Sequence, residues 1–269
     1  MNILSEIKRK AKTNHARVGV GIGDISEKLI RSAEKATEYA DVVFIGDEEK
    51  IRATGTGIDI IHSTAPSKAL VELLYTGEIN GAIRGTLSAT KTLSILKKTF
   101  GIGKIYRVAL LETAGGIPFF LAPVGIDEGN SVDGKIEMLK RSVEYISRLG
   151  FELKVGVLSG GRVEDRGRDN TVDLTLDVAE SVTQIANEFG IDAKNYSILI
   201  EDAIREANFI MAPDGISGNL IFRTLVFLGG GHGYGAPVLM EKVFVDTSRA
   251  RGDYSKAIML TSALFKPGV

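Results

Sequence analysis

The stretch Phe209-Ile-Met-Ala-Pro-Asp-Gly-Ile-Ser-Gly-Asn219 carries the unit from which the whole chain is built. Phe209 to Ala212 is a short apolar run and reads as a strand. Pro213, Asp214 and the glycines break that pattern and read as a turn. From Gly218-Asn219 onward, apolar residues recur at helical spacing (Leu220, Ile221, Leu225, Leu228), which predicts a helix over 219–228. Strand, glycine-rich turn and helix in that order form the repeating piece of a parallel α/β sheet. A helix starting at Gly218 would offer unpaired backbone N–H groups and the positive end of its dipole to an anion.

The same alternation extends in both directions. Strands are expected at Arg17–Gly21, Val42–Ile45, Gly81–Ile83, Val108–Glu112, Pro118–Ala122, Lys154–Leu158, Ser197–Leu199, Phe209–Ala212 and 238–245. Helices are expected at Ser26–Tyr39, Pro66–Tyr75, Ala89–Phe100, Val132–Leu149, Thr171–Phe189, 219–228 and 252–265, with a short helical stretch beginning at Glu201-Asp202-Ala203. Gly115-Gly116 between two strands signals a hairpin. The fold class is therefore α/β, with mainly parallel sheets covered by helices on both faces, and strand ends gather loops at the edge where such folds bind ligands. The polar interruption at Gly125, Asp127, Gly129 and Asn130 suggests a first domain of 1–125 plus 230–269. A second domain, 126–229, would be inserted into it, and a cleft would lie between the two αβα domains.

Composition narrows the function. Lys plus Arg is 33 against 34 for Asp plus Glu, a net charge of −1 that provides no field for nucleic acid. There is no cysteine, which excludes disulfides, thiol nucleophiles and zinc–thiolate sites. Neither a secretory signal nor a membrane-length apolar run is visible, and a cytoplasmic location is expected. The three histidines, His15, His62 and His232, have no metal-ligand spacing, and no metal is expected.

Several motifs concentrate chemistry, each with a plainer reading beside it. Gly19-Val-Gly-Ile-Gly23 resembles a nucleotide turn, and Asp47 would then meet a ribose. The dinucleotide pattern fails at Asp24, however, so a strand-to-helix turn capped by Asp24 or Ser26 is preferred. Arg84-Gly-Thr-Leu-Ser-Ala-Thr90 places Arg84, Thr86, Ser88 and Thr90 at a helix start, as an anion site does; the plain alternative is capping by Ser88 or Thr90. In Ser159–Asp169, Arg162, Arg166 and Arg168 either clamp an anion or pair with Glu164, Asp165 and Asp169 in a solvated loop, the safer default. Ser248-Arg249 follows an apolar strand and would add a hydroxyl and a guanidinium fork.

In order along the chain, these motifs resemble those of the phosphate acetyl/butyryltransferases, within the isocitrate/isopropylmalate dehydrogenase-like fold group. The resemblance runs through Phe44-Ile-Gly-Asp-Glu-Glu-Lys-Ile51, Gly77-Glu-Ile-Asn-Gly-Ala-Ile-Arg-Gly85, Lys135 to Leu158, Glu201-Asp-Ala-Ile204, Pro213-Asp214 with Gly218-Asn219, and Ser248-Arg249. The family's lysine after Gly-Asn falls on Arg223, and its His-Ser-Thr loop is replaced by Leu87-Ser88-Ala89-Thr90. Its catalytic aspartate falls on Ser255, with Asp253 the nearest carboxylate. The chain resembles more closely the MtxX group of methanogenic archaea, whose members carry a methyltransferase-subunit label. The resemblance implies a transferase of phosphotransacylase type that binds a phosphate, acyl phosphate or coenzyme A-like anion. Arg249 would stabilise developing negative charge, and Asp253 or Asp202 would act as base. Arg84, Gly85, Thr86, Ser88, Thr90, Asp214, Gly218, Asn219 and Ser248 would hold the ligand. It also implies a homodimer. The alternatives are methyl transfer with a methyl carrier, within or beside a methyltransferase complex, and a non-catalytic regulatory subunit.

Overall fold

The computed structural model describes residues 3–248 and 252–266. The chain opens with α1 (Ile3–Asn14), β1 (Arg17–Gly21), α2 (Glu27–Lys35), β2 (Asp41–Gly46), α3 (Glu48–Arg52), β3 (Asp59–His62), α4 (Pro66–Thr76), β4 (Gly81–Ile83) and α5 (Ala89–Phe100). It continues through β5 (Ala109–Glu112), β6 (Pro118–Ala122), α6 (Val132–Ser147), β7 (Lys154–Val157), α7 (Asn170–Glu188), β8 (Asp192–Asn195), α8 (Ile200–Glu206), β9 (Phe209–Met211) and α9 (Gly215–Arg223). It closes with β10 (His232–Gly233), β11 (Ala236–Pro237), β12 (Val243–Asp246) and α10 (Ser255–Leu264). Two compact units result, one made of 1–105 with 234–269 and the other of 106–233.

The first unit holds the sheet β11-β12-β4-β1-β2-β3, parallel throughout except for the β11–β12 pair. Its central strands are continuous apolar runs, as strands covered on both faces must be. Val43, Ile45, Ala82 and Phe244 pack with Leu70, Val71 and Leu74 of α4 and Leu96 of α5. Every residue of α10 from Ala257 to Leu264 is buried, so this helix is enclosed between the sheet and α1. Asn14 ends α1 by donating its amide to the carbonyls of Ser262, Ala263 and Phe265, at 2.9, 3.3 and 2.7 Å, at the C-terminal end of α10 where helical carbonyls run short of backbone donors.

The second unit holds β10-β5-β6-β9-β7-β8, parallel from β6 to β8 and antiparallel where β10, β5 and β6 meet. The β5–β6 hairpin turns through Gly116, at φ +81°. Because β6 pairs with β9, this hairpin belongs to the second sheet, and the chain crosses between units at 105–106 rather than near residue 125. α/β architecture with two mainly parallel sheets thus matches the sequence expectation, while three local boundaries shift.

The strand expected at Ser197–Leu199 is instead a turn into α8. Ser197 sits at φ +53° and its N–H binds the Asn195 side chain at 2.8 Å, so β8 ends before it. The strand expected at 238–245 is split: Val238 donates back to Phe244 at 2.8 Å around Glu241 and Lys242, and only Val243–Asp246 joins the parallel sheet. The helix expected over 219–228 begins at Gly215, because the Asp214 carboxylate accepts the Ser217 N–H at 2.7 Å and caps it there. It runs on through a π-turn at Thr224–Leu228.

Candidate functional site

In the first unit, β1 lies between β2 and β4. The chain leaves β1 toward one edge of the sheet and returns to β4 on the other side. Right-handed crossovers then place the helices of these two excursions on opposite faces, which opens a switch point between the exits of β1 and β4. β12 lies directly beside β4, with Val245 in register with Ile83 and Val20. The exits of three parallel strands therefore converge, carrying Ile22–Ser26, Arg84–Ser88 and Thr247–Ser248.

One hydroxyl joins the first two loops. Thr86 Oγ1 accepts the N–H groups of Gly23 and Asp24 at 2.8 and 3.1 Å, while the Thr86 N–H donates to Gly21 O at 3.1 Å. Gly85 makes the close approach possible. It sits at φ +60°, and a Cβ there would lie 2.1 Å from Gly21 O. Ser88 then caps α5, its hydroxyl accepting the Lys91 N–H at 3.4 Å. Ser88 and Thr90 are exposed on the first turn of α5, where backbone N–H groups and dipole favour negative charge.

Arg84 is turned inward. It is 5 % exposed and donates to Asp246, to Leu87 O at 2.5 Å and to Thr247 O. Thr247 in turn donates its hydroxyl to Gly85 O at 3.3 Å. Arg84 therefore neutralises a buried carboxylate and ties the β4 exit to the β12 exit. Asp246, at the end of the apolar run Val243-Phe-Val, is the partner that sequence reading overlooked. Ser248 stands next on this strand exit, and Arg249 lies outside the described residues. Asp253 is exposed and accepts both the N–H and the hydroxyl of Ser255 at 3.1 and 2.7 Å. The residue in the family's aspartate position is thus hydrogen-bonded to the neighbouring carboxylate. Asp253 also lines a surface pocket of about 290 Å³ with Glu27, Lys28, Arg31, Ser32 and Lys35.

The plainer readings hold at two sequence motifs. Ser26 caps α2 by accepting the Leu29 N–H at 3.2 Å, and Asp47 caps α3 by accepting the Lys50 N–H at 3.3 Å. In the arginine-rich loop, Arg166 pairs with Asp177 at 2.7 Å and Arg168 with Asp165, all on exposed or half-exposed side chains.

The remaining candidates belong to the second unit. Asp202 lies in the first turn of α8 with Arg205 at 3.5 Å. Gly218 and Asn219 lie inside α9 and not at its start: Gly218 N–H bonds Asp214 O at 3.0 Å, and the Asn219 side chain donates to Val124 O at 3.0 Å. These residues fasten α9 to the segment after β6. Beside them sits a group absent from the sequence-based set. Lys135, in α6, is 3 % exposed, and its ammonium donates to Ala212 O at 3.1 Å, next to Asp214. Its signal in the sequence was a lysine on the apolar face of Met138, Leu139 and Ser142, at i+3, i+4 and i+7.

Burial pushes the Lys135 amine down to about 8, with the charge of Asp214 opposing the shift. Below that pH the fold holds a buried ammonium at a cost. Between about 8 and the ordinary 10.5 the unfolded chain binds the additional proton, so this group's contribution to stability rises with pH across that window. Lys135→Met is accordingly expected to unfold at no lower temperature than wild type at pH 7, with its advantage shrinking as pH approaches 10. Thermal unfolding followed by circular dichroism across pH 7–10 checks this; a variant destabilised most at pH 7 would contradict it.

Comparison with solved structures identifies the architecture as that of the phosphotransacetylases. The "EutD phosphotransacetylase from Staphylococcus aureus" superposes with a TM-score of 0.72 at 17% identity, covering 97% of each chain. A branched-chain phosphotransacylase from Enterococcus faecalis V583 gives 0.67 at 19% identity, over 91% of this chain and 98% of that one. At these identities the likeness is one of fold. No protein-family model matches the chain. Among curated proteins, the "Putative methyltransferase mtx subunit X" of Methanosarcina mazei is 56% identical over 97% of this chain and 95% of its own length. That of Methanosarcina barkeri is 55% identical over 95% of each. The "Uncharacterized methyltransferase MJ1371" of Methanocaldococcus jannaschii is 36% identical over 86% of this chain and 89% of its own. The chain belongs to the mtx subunit X family of methanogenic archaea.

Proposed function

We propose that this chain is a transferase of phosphotransacylase-like type whose ligand is an anion of the phosphate, acyl phosphate or coenzyme A class. The observation that carries this reading is the convergence of the β1, β4 and β12 exits at the switch point of the first unit. There Thr86, Ser88, the start of α5 and Ser248 concentrate donors. The buried Arg84–Asp246 pair braces those donors without adding net charge. In this reading Arg249, directly after Ser248 in sequence, supplies the cation that stabilises developing negative charge, and Asp253 or Asp202 accepts the proton.

Calorimetric titration with coenzyme A and with acetyl phosphate tests it. Arg249→Ala is expected to weaken binding tenfold or more. Thr86→Ala, which frees the Gly23 and Asp24 N–H groups, is expected to weaken it several-fold and to lower stability by about 1–2 kcal/mol. Unchanged affinity in both variants would overturn the assignment.

The names of relatives at 54–56% identity favour a second reading, that of a methyltransferase or a methyltransferase-associated subunit in methanogen one-carbon metabolism. Turnover with methyl donors but not with acyl phosphates would select it. Anion binding with no turnover of either class would select a regulatory subunit. A cytoplasmic homodimer, alone or within a methyltransferase complex, is the setting that this proposal adopts.

A further inference from the structure

The second unit holds a buried cation that its fold does not fully use. Lys135 Nζ carries three N–H donors when protonated, and among the described residues it makes one hydrogen bond, to Ala212 O at 3.1 Å. Lysine is almost never fully buried unless it is paired, yet no carboxylate lies within ion-pair distance of this one among the described residues. Ala212 is the exit of β9, so the amine sits at the carboxyl edge of the second parallel sheet, where folds of this class receive ligands. The charged group that faces it is Asp214. One oxygen of that carboxylate accepts the Ser217 N–H at 2.7 Å, and the carboxylate has further acceptor capacity.

We propose that Lys135 and Asp214 form an oxygen-acid binding site of the second unit, in which the ammonium donates to a phosphate oxygen while the Asp214 carboxylate accepts from the phosphate hydroxyl. An amine offers only donors, so the group it reads is an acceptor oxygen. A carboxylate beside it disfavours a fully ionised ligand and suits hydrogen phosphate, which carries both functions. The site is argued from the second unit alone and adds a binding group to those proposed for the first.

The test is titration of the full chain with inorganic phosphate at pH 8.5, in two buffers of different ionisation enthalpy. With an amine near 8 in the free protein, most of Lys135 is neutral at this pH, and binding an oxyanion recharges it. Wild type is therefore expected to take up more than about half a proton per phosphate bound. Lys135→Met is expected to bind at least tenfold more weakly and to lose the uptake. Phosphate binding by wild type without proton uptake overturns the proposal, and this readout needs no variant. Binding weakened by Thr86→Ala but unchanged in Lys135→Met keeps the first-unit reading and overturns this one. Absence of phosphate binding by wild type overturns this proposal, while the first-unit reading stands or falls on its own titrations with coenzyme A and acetyl phosphate.

Discussion

Arg84→Met is expected to destabilise the first unit by about 3–5 kcal/mol, the largest effect of any single side-chain change considered for this protein. The guanidinium and the Asp246 carboxylate have side chains 6 % and 10 % exposed, so truncating the arginine takes its guanidinium partner from a carboxylate held out of water. The loss is not confined to one ion pair. Leu87 O and Thr247 O lose donors at the same time, which releases the β4 exit from the β12 exit. Replacing both partners, in Arg84→Met/Asp246→Leu, removes the buried carboxylate as well and is expected to cost less than Arg84→Met alone. Urea denaturation of the three variants by circular dichroism measures the cycle. A single-variant cost below about 1 kcal/mol would show that the pair is not desolvated as the geometry requires.

Gly218→Ala is expected to reverse the usual sign for a helical glycine. In an ordinary helix interior this change stabilises by up to about 1 kcal/mol, since alanine loses less backbone freedom on folding. At Gly218 the added Cβ would stand 1.9 Å from Pro123 O, a backbone atom that cannot rotate away. Helix α9 and the segment after β6 must separate, which also stretches the bond from Asn219 to Val124 O. A cost of about 2–3 kcal/mol follows, at the upper end for overpacking. A raised urea midpoint in this variant would show that the two segments are not in contact there.

These two positions also show how far the sequence could be read. The strand–turn–helix grammar, the hairpin at Gly115-Gly116 and the parallel sheets were legible because local periodicity and turn chemistry carry them. Ser26 and Ser88 as caps were legible for the same reason, since a cap acts within its own few residues, whereas the capping of α3 by Asp47 emerged only with the structure. The start of α9 was misjudged by one turn. Asp214 and Gly218 both belong to a helix-start vocabulary, and only the 2.7 Å bond from Ser217 to Asp214 decides between them. The membership of the β5–β6 hairpin was not legible either, because the pairing of β6 with β9 spans the whole of α6, β7, α7, β8 and α8.

The candidate site divides along the same line. That Thr86, Ser88 and Ser248 lie at strand exits follows from sequence position once the sheet is parallel. The inward turn of Arg84 does not, because its partner Asp246 is remote in sequence and nothing local distinguishes a buried arginine from a ligand-binding one. Lys135 is the converse case. On the helix it is simply a lysine among Ile136, Met138 and Leu139, and its chemistry arises only when β9 brings Ala212 and Asp214 against it.

Sequence alone thus determined the class of the fold, the run of its elements and the loops in which polar groups gather, because those are written in short-range pattern. The tertiary structure decided which of those polar groups are consumed in bracing the loops and which stand exposed at the strand exits. That allocation depends on distances between strand exits far apart in the chain, which no local pattern encodes.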